Sequence, residues 1–268
     1  LNYIALTGNG YVMQDIEEPD KESAMISATV AISYDFPNKT FAADFGVEGN
    51  VPGDTPLLVF TGDISFYRSP TLWYFKAGVP TSPLSTTYDL GIAGISADAY
   101  FMTGQQLPPP VLPAEVEQFF DFESNLINNT QNGLGIGFMA GVHLGLNVDL
   151  SLVGTGIQIV ALAGVDIAVL HYYAATCNGS EDFGVNKWYA MGQGYLYGSF
   201  TLEVVGVEVA GLEAGVILEG AFPNPTGIQG QLQATVTVLG TDHSVNESFS
   251  IGSFCDIQPM ANIDDIVE

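Results

Sequence analysis

The clearest alternation of apolar and polar positions lies between Gly133 and Leu152. Every second residue from Leu134 onward is apolar, whereas the residues between them are glycines, a methionine and polar types such as His143. A period of two is typical of a β-strand with one apolar face, because successive side chains of a strand point to opposite sides. The pattern predicts a long strand that buries its apolar, even-numbered face.

Other segments continue the β pattern. Residues 24–34 and 41–48, and likewise 57–67 and 72–78, are separated by short turn-rich loops, which predicts two antiparallel hairpins. Residues 157–173 are apolar on both faces, as in a central strand that is covered on both sides. Further strands are predicted at residues 188–222, 229–238 and 248–254.

One segment breaks this pattern after Pro108, Pro109 and Pro110. Residues 114–128 carry apolar side chains at helical spacing, which predicts one short helix in a packed connector. We expect an all-β fold of long, mostly antiparallel strands, arranged as a sandwich or as curved sheets, because the connections are too short for crossover helices. The expected regions, which can also form one continuous domain, are N-terminal hairpins (1–107), a connector with the helix (108–130) and long C-terminal strands (131–268).

Charge narrows the classes of function. Five Lys or Arg residues stand against thirty Asp or Glu residues, which gives a formal charge of −25. Nucleic-acid binding depends on basic side chains that displace phosphate counterions, so this class is excluded. With 47% hydrophobic residues the chain is too apolar for intrinsic disorder. The longest apolar runs are too short for a transmembrane helix, and we expect a protein that does not span a membrane.

Catalytic motifs are missing from the sequence. It contains no phosphate-binding Gly-Lys-Ser/Thr loop, no Gly-x-Ser-x-Gly turn and no His-Glu-x-x-His pair. The thirty acidic residues allow many glycosidase-type pairs, but no local pattern selects one. We therefore predict a protein that is not an enzyme, and a hydrolase with unassigned carboxylates stays as an alternative.

The two cysteines, Cys177 and Cys255, have neither a Cys-x-x-Cys partner nor a histidine at metal-ligand spacing. The simplest interpretation is one disulfide that closes a long loop, with two buried free thiols as the alternative. The chain begins with Leu1, as after removal of a signal peptide or in a piece of a longer protein. Because disulfides persist in oxidising compartments, we expect an extracellular or cell-surface location.

Two acidic segments are candidates for a calcium site, because hard cations prefer carboxylate and carbonyl oxygens. Their residues are Asp15, Glu17, Glu18 and Asp20 in the first segment and Glu181 and Asp182 in the second. Neither segment has the spacing of an EF-hand, so solvated acidic loops are the competing interpretation. No other cofactor is expected.

Four clusters rich in aromatic residues, glycine and proline follow one another along the chain. They read WYFKAGVP at 73–80, AYFMTG at 99–104, KWYAMGQGYLY at 187–197 and PNPTG at 223–227. Their order, together with the closing IGSFC at 251–255, resembles a module of very large secreted or surface proteins of Bacteroidetes, over about residues 70–255. The resemblance implies an exported module of a larger protein and supplies no catalytic residues.

The aromatic residues of these clusters have two interpretations. Rings that lie over glycines of neighbouring strands would be structural. Exposed rings would instead form a sugar-stacking platform, for which the candidates are Trp73, Tyr74, Trp188, Tyr195 and Tyr197. The usual burial of large aromatic residues favours the structural interpretation and leaves a glycan as a candidate partner.

We predict from these features a structural or adhesive module of an extracellular assembly or filament. A carbohydrate-dependent or calcium-dependent binding module is the alternative. Long strands expose edges, and few lysines are available to protect them. Residues 1–23 and the strand at 24–34 are therefore expected to pair with another copy of the chain, or alternatively to close their own sheet. The expected partners are other copies or further modules of a larger protein.

Overall fold

Strands dominate the fold in a computed structural model, which describes residues 2–12, 25–51, 58–131 and 133–260. The all-β expectation is confirmed. Within these ranges the elements are β1 (Tyr3–Val12), β2 (Ile26–Asp35), β3 (Thr40–Val51), β4 (Leu58–Arg68), β5 (Trp73–Ala77), β6 (Leu84–Asp89), β7 (Ala93–Gln105), α1 (Ala114–Phe119), α2 (Asn125–Gln131), β8 (Ile136–Leu152), β9 (Thr155–His171), β10 (Ala175–Cys177), β11 (Trp188–Val204), β12 (Val207–Phe222), β13 (Gly227–Val238), β14 (Thr241–Gly252) and β15 (Ile257–Pro259).

One antiparallel sheet contains most of these strands. Its path is β1-β2-β3-β4-β5-β7-β8-β9-β11-β12-β13-β14, and β6 pairs with β4 and β7. The two hairpins predicted near the N-terminus are confirmed as β2–β3 and β4–β5. Because β7 pairs with β8 along its whole length, the N-terminal and C-terminal strands belong to one continuous sheet.

The first strand pairs within its own chain. Tyr3 lies opposite Asp35, and the ladder continues to Val12 opposite Ile26. For residues 3–12 the structure therefore shows the alternative in which the N-terminal segment extends its own sheet. The remainder of the segment, from residue 13 to residue 24, lies outside the described residues.

The predicted helix at 114–128 is interrupted and forms two helices. Helix α1 ends at Phe119 because Phe120 is extended, with φ −100° and ψ 131°. Ser124 then begins α2, since its hydroxyl accepts a hydrogen bond from the backbone N–H of Ile127 at 3.1 Å, as an N-cap residue does. Neither helix in the described part of the chain is long and apolar enough to cross a membrane.

In its central strands the large sheet has one covered face and one open face, whereas β1 and β14 are exposed on both sides. We call the face that carries the two helices the inward face and the opposite one the outward face. In β8 the inward Met139 is buried, whereas the outward Val142 and Leu144 are 52% and 54% exposed. The expectation that the even-numbered, apolar side of 134–152 is buried was wrong, because the helices cover the odd-numbered side.

The neighbouring strand β9 shows the same arrangement. Its inward Asp166 and Ala168 are buried, while its outward Val165 and Ile167 are exposed. The expectation that residues 157–173 are covered on both faces was also wrong, because within the described residues only one face of this strand has a layer packed on it.

The core lies between the inward face and the elements packed on it, which are α1, α2 and the small β10–β15 sheet. We call these elements the cover. One cluster of buried residues surrounds Tyr172, Phe183 and Tyr189, and includes Ile257 of β15. A second cluster packs Val116, Phe119 and Phe120 against the inward side chains Tyr195, Tyr197 and Ile217. The helices and the small β10–β15 sheet are therefore fixed to the middle of the large sheet.

Candidate functional site

A row of polar side chains crosses the inward face of the central strands. Tyr100 lies opposite Gly141, and Asp166, Gln193 and Glu219 follow in register on β9, β11 and β12. Side chains directly opposite each other in antiparallel strands have Cβ atoms about 5 Å apart, so the register alone brings these groups together. We call Tyr100, Asp166, Gln193 and Glu219 the polar row; all four are buried.

Asp166 is the centre of one half of the polar row. Its Oδ1 accepts a hydrogen bond from the Tyr100 hydroxyl at 2.7 Å and lies 2.9 Å from Nε2 of His143. Its Oδ2 accepts a hydrogen bond from Nε2 of Gln193 at 3.2 Å. Gly141 makes this approach feasible, because a Cβ atom there would collide with Asp166 and the Tyr100 ring. The partners offset the cost of burying the carboxylate.

Glu219 is the centre of the other half and holds the start of α2. Its carboxylate accepts hydrogen bonds from the backbone N–H groups of Asn125, at 3.0 Å, and of Leu126. Gln229 Nε2 donates to it at 2.8 Å, and the Ser124 hydroxyl lies 3.2 Å away. A negative charge at a helix N-terminus is favourable, since the first N–H groups have no partner within the helix. Glu219 thus joins the helix to the sheet.

Burial and neighbouring charges change the acidity of the side chains around Asp166. Burial raises the pKa of Tyr100 far above its usual value, and the charge and hydrogen bond of Asp166 add to this. Burial lowers the pKa of His143, but the hydrogen bond and charge of Asp166 and the charge of Asp98 raise it more, so the net pKa is raised. Burial and the charge of Asp166 also raise the pKa of Tyr195. These tyrosines therefore stay protonated near neutral pH.

The pair of His143 and Asp166 invites comparison with acyl-transfer enzymes, in which an aspartate orients a histidine base toward a nucleophile. Among the described residues, His143 is bonded to Asp166 and to no serine, threonine or cysteine. The nearby Ser124 hydroxyl lies 2.8 Å from Oε1 of Gln193 and caps α2. The contacts that this cluster makes join strands to one another and to a helix.

We expect the raised pKa of His143 to make stability depend on pH. Because its pKa is higher in the folded than in the unfolded state, its stabilising contribution is present below about pH 6.5 and is lost as pH rises through the folded-state pKa. The difference in free energy of unfolding between the wild type and His143→Gln should therefore shrink from pH 6 to pH 9. His243→Gln, at an exposed position of β14, is the control. A difference that stays constant with pH would contradict this assignment.

The five aromatic candidates do not come together. Trp73 and Trp188 lie on the outward face and are 38% and 43% exposed. Tyr195 and Tyr197 are buried on the inward face beneath α1, where Tyr197 contacts Phe119 edge-to-face. Tyr74 also points inward and stacks on Tyr67 with 5.4 Å between ring centroids. Because the sheet separates the tryptophans from the tyrosines, these residues cannot form one platform.

The calcium candidates are located only in part. Asp15, Glu17, Glu18 and Asp20 lie outside the described residues. Glu181 and Asp182 are exposed in the loop that follows β10. Within the part of the chain that the structure describes, no three His, Cys, Asp or Glu side chains are grouped as a metal site would require. A calcium site stays a prediction.

The predicted disulfide is confirmed. Cys177 at the end of β10 is bonded to Cys255 just before β15, across 78 residues of sequence. Both cysteines are buried in the core cluster that contains Tyr172 and Tyr189. The bond therefore joins the C-terminal segment that contains β15 to the segment that contains β10, within the cover of the inward face.

The outward face of the large sheet exposes many apolar side chains. One of its register rows consists of Ala97, Leu144, Ala163, Leu196, Val216 and Leu232 on six successive strands of the sheet path. Leu144, Leu196 and Leu232 are each more than half exposed. This row borders a groove of about 720 Å³, and further grooves of about 420 and 590 Å³ lie on the same face. The alternation at 134–152 identified Leu144 as part of an apolar face but predicted that this face is buried.

Comparison of the chain with protein families, with curated proteins and with solved structures finds no match. The geometry defines two candidate sites. The polar groups of the polar row are hydrogen-bonded within the protein, whereas the outward face is exposed.

Proposed function

We propose that this is a non-enzymatic structural protein that attaches to a hydrophobic surface through the outward face of its sheet. The observation that carries the proposal is that the polar face of the sheet is covered and the apolar face is exposed, the reverse of the usual arrangement. The face with carboxylates and amides is covered by helices, whereas the face with Leu144, Leu196 and Leu232 is open.

The energetics favour a partner for this face. A sheet normally buries its apolar side against another layer of secondary structure. Exposed apolar patches on single proteins seldom exceed about 300–600 Å², and larger ones mark interaction sites. Twelve strands about 4.8 Å apart span about 53 Å, and six outward rows about 6.7 Å apart span about 33 Å, so the face measures roughly 1,700 Å². Burying such an area supplies far more free energy than a stable attachment needs.

The inward face supports a structural role in a second way. Asp166 and Glu219, the two buried carboxylates of the polar row, each accept hydrogen bonds from at least three side-chain or backbone groups. The contacts of Asp166 join four strands, and those of Glu219 hold α2 on the sheet. Both sets keep the outward face in one shape. The Cys177–Cys255 bond is consistent with an extracellular or cell-surface location, where disulfides persist.

The test is to place charge on the outward face. Leu144→Glu with Leu196→Glu should weaken adsorption of the protein to an alkyl-coated surface by at least about a hundredfold, because each leucine contributes about 1.5–3 kcal/mol when it is buried. Both side chains are exposed in the isolated protein, so the free energy of unfolding should change little.

The matched control places the same charges outside the face. Val153→Glu with Leu239→Glu changes two exposed apolar residues in the β8–β9 and β13–β14 turns. This control should adsorb like the wild type. Equal adsorption of wild type, test variant and control would contradict the proposal.

A further inference from the structure

Resting on the proposed function, we infer that the hydrophobic surface is lipid hydrocarbon, and that an aromatic row at one end of the outward face lies at the level of the lipid headgroups. Three observations point to a lipid layer rather than to a second copy of the chain: the position of the aromatic residues, the distribution of charge and the shape of the face.

Both tryptophans lie in one register row at the end of the sheet, whereas the outward aromatic residues of the rows beyond it are mostly phenylalanines, such as Phe101 and Phe138. Arg68 lies opposite Trp73 on one side and Phe41 on the other, and Tyr34 follows Phe41 on β2. The backbone N–H of Trp73 donates to Gln105 Oε1 at 3.1 Å. The row then continues through Ile136 and His171 to Trp188. We call Tyr34, Phe41, Arg68, Trp73, His171 and Trp188 the aromatic row.

This composition matches the boundary between lipid and water. Tryptophan and tyrosine are enriched at that boundary, because their rings are apolar and their N–H or O–H groups remain hydrated. Arg68 adds a cation at the same level, and long basic side chains can reach toward the headgroups. Both tryptophans of the chain, Trp73 and Trp188, lie in this row. The phenylalanines of the rows beyond it, such as Phe101 and Phe138, carry no polar group and match the hydrocarbon instead.

The rows beyond the aromatic row are almost free of charge. From the row of Phe138 to the row of Val148, the only formally charged outward residue in the register is Glu247, on the last strand of the sheet path. The chain as a whole carries −25. A region without charge on such an acidic protein is complementary to hydrocarbon, which solvates no charge. These rows extend roughly 33 Å along the strands, a depth comparable to the hydrocarbon of one bilayer.

The shape of the face also favours fluid chains over a rigid copy. Outward glycines such as Gly194 and Gly198 leave hollows between the leucines, and the grooves of about 720 and 420 Å³ lie there. A second copy would leave unfilled space at each hollow unless its side chains matched, and unfilled space forfeits packing energy. Acyl chains adapt to an irregular surface and meet no such requirement.

The two tryptophans serve as built-in probes of depth. The wild type is mixed with phosphatidylcholine vesicles whose lipids carry a fluorescence quencher either near the headgroup or near the end of the acyl chain. Trp73 and Trp188 should be quenched more strongly by the headgroup-proximal label. In a Trp73→Phe, Trp188→Phe background, Leu218→Trp places a single probe three outward rows further along the sheet and should show the reverse order.

Binding itself is measured by flotation of the same vesicles. Leu144→Glu with Leu196→Glu should partition at least about a hundredfold more weakly. Val111→Glu with Val185→Glu, which changes two exposed residues in the connector before α1 and in the loop before β11, should partition like the wild type. If the wild type adsorbs to the alkyl surface but does not float with the vesicles, the lipid inference alone is overturned. The same holds if the wild type forms a dimer through this face and the dimer does not float. Loss of both kinds of binding by the wild type would overturn the proposed function too. Vesicle binding with equal or reversed quenching would overturn the placement of the aromatic row.

Discussion

Replacing both cysteines, Cys177→Ala with Cys255→Ala, is expected to lower the free energy of unfolding by about 4 kcal/mol. The disulfide closes a loop across 78 residues, and in the chain-entropy model a cross-link of that span restricts the unfolded chain by about this amount. Alanine is the appropriate replacement because both positions are buried among apolar side chains. Denaturant unfolding of the wild type and the variant measures the difference.

A reductant provides the internal control for this prediction. Wild type with the disulfide reduced should unfold at the same denaturant concentration as the double variant, and the variant should not respond to the reductant. Equal stability of oxidised and reduced wild type would show that the bond does not stabilise the fold.

Glu219→Gln is expected to cost about 3 kcal/mol, although it changes a single atom. The substitution replaces one carboxylate oxygen with an NH₂ group that faces donors from Leu126 or from Asn125 and Gln229. Leaving a buried donor without a partner costs about 1–3 kcal/mol, and more than one is affected. Removing the buried charge recovers part of its desolvation cost. The free energy lost by the unpaired donors is larger, because several N–H groups point at this carboxylate.

The control for this substitution is Glu208→Gln on the same strand. Glu208 is exposed, so its replacement should change the free energy of unfolding by less than about 0.5 kcal/mol. Helical signal in circular dichroism should also fall for Glu219→Gln, since the carboxylate holds the start of α2. A Glu219→Gln variant as stable as the wild type would show that this carboxylate does not fix the helix.

The sequence predicts the strands well because alternation is a local property. The bounds of β8 and the first hairpins follow from residues within about ten positions of one another. The sequence does not show which face of the sheet is buried, because alternation shows only that Leu144 and His143 lie on opposite sides. The usual rule that apolar residues are inside assigned Leu144 to the core, and the structure reverses it because α1 and α2 pack on the side of His143.

The polar row is a long-range feature that local patterns cannot reveal. Glu219 meets Leu126 across 93 residues, and Asp166 meets Tyr100 across 66. Two signals were nevertheless present in the sequence. Asp166 interrupts an otherwise apolar strand, which indicates a buried polar group with partners. Ser124 is a residue type that often starts helices, and it marks the interruption that divided the predicted helix at 114–128.

Contact of the outward face, and not of the inward face, with hydrocarbon can be measured residue by residue. Photolabelling from a diazirine near the end of a lipid acyl chain, followed by mass spectrometry, tests it most directly. We expect labels on Val142, Leu144, Val165, Leu196 and Leu218, and none on Tyr100, His143, Asp166 or Gln193. Labels confined to turns, or distributed equally over both sets, would contradict it.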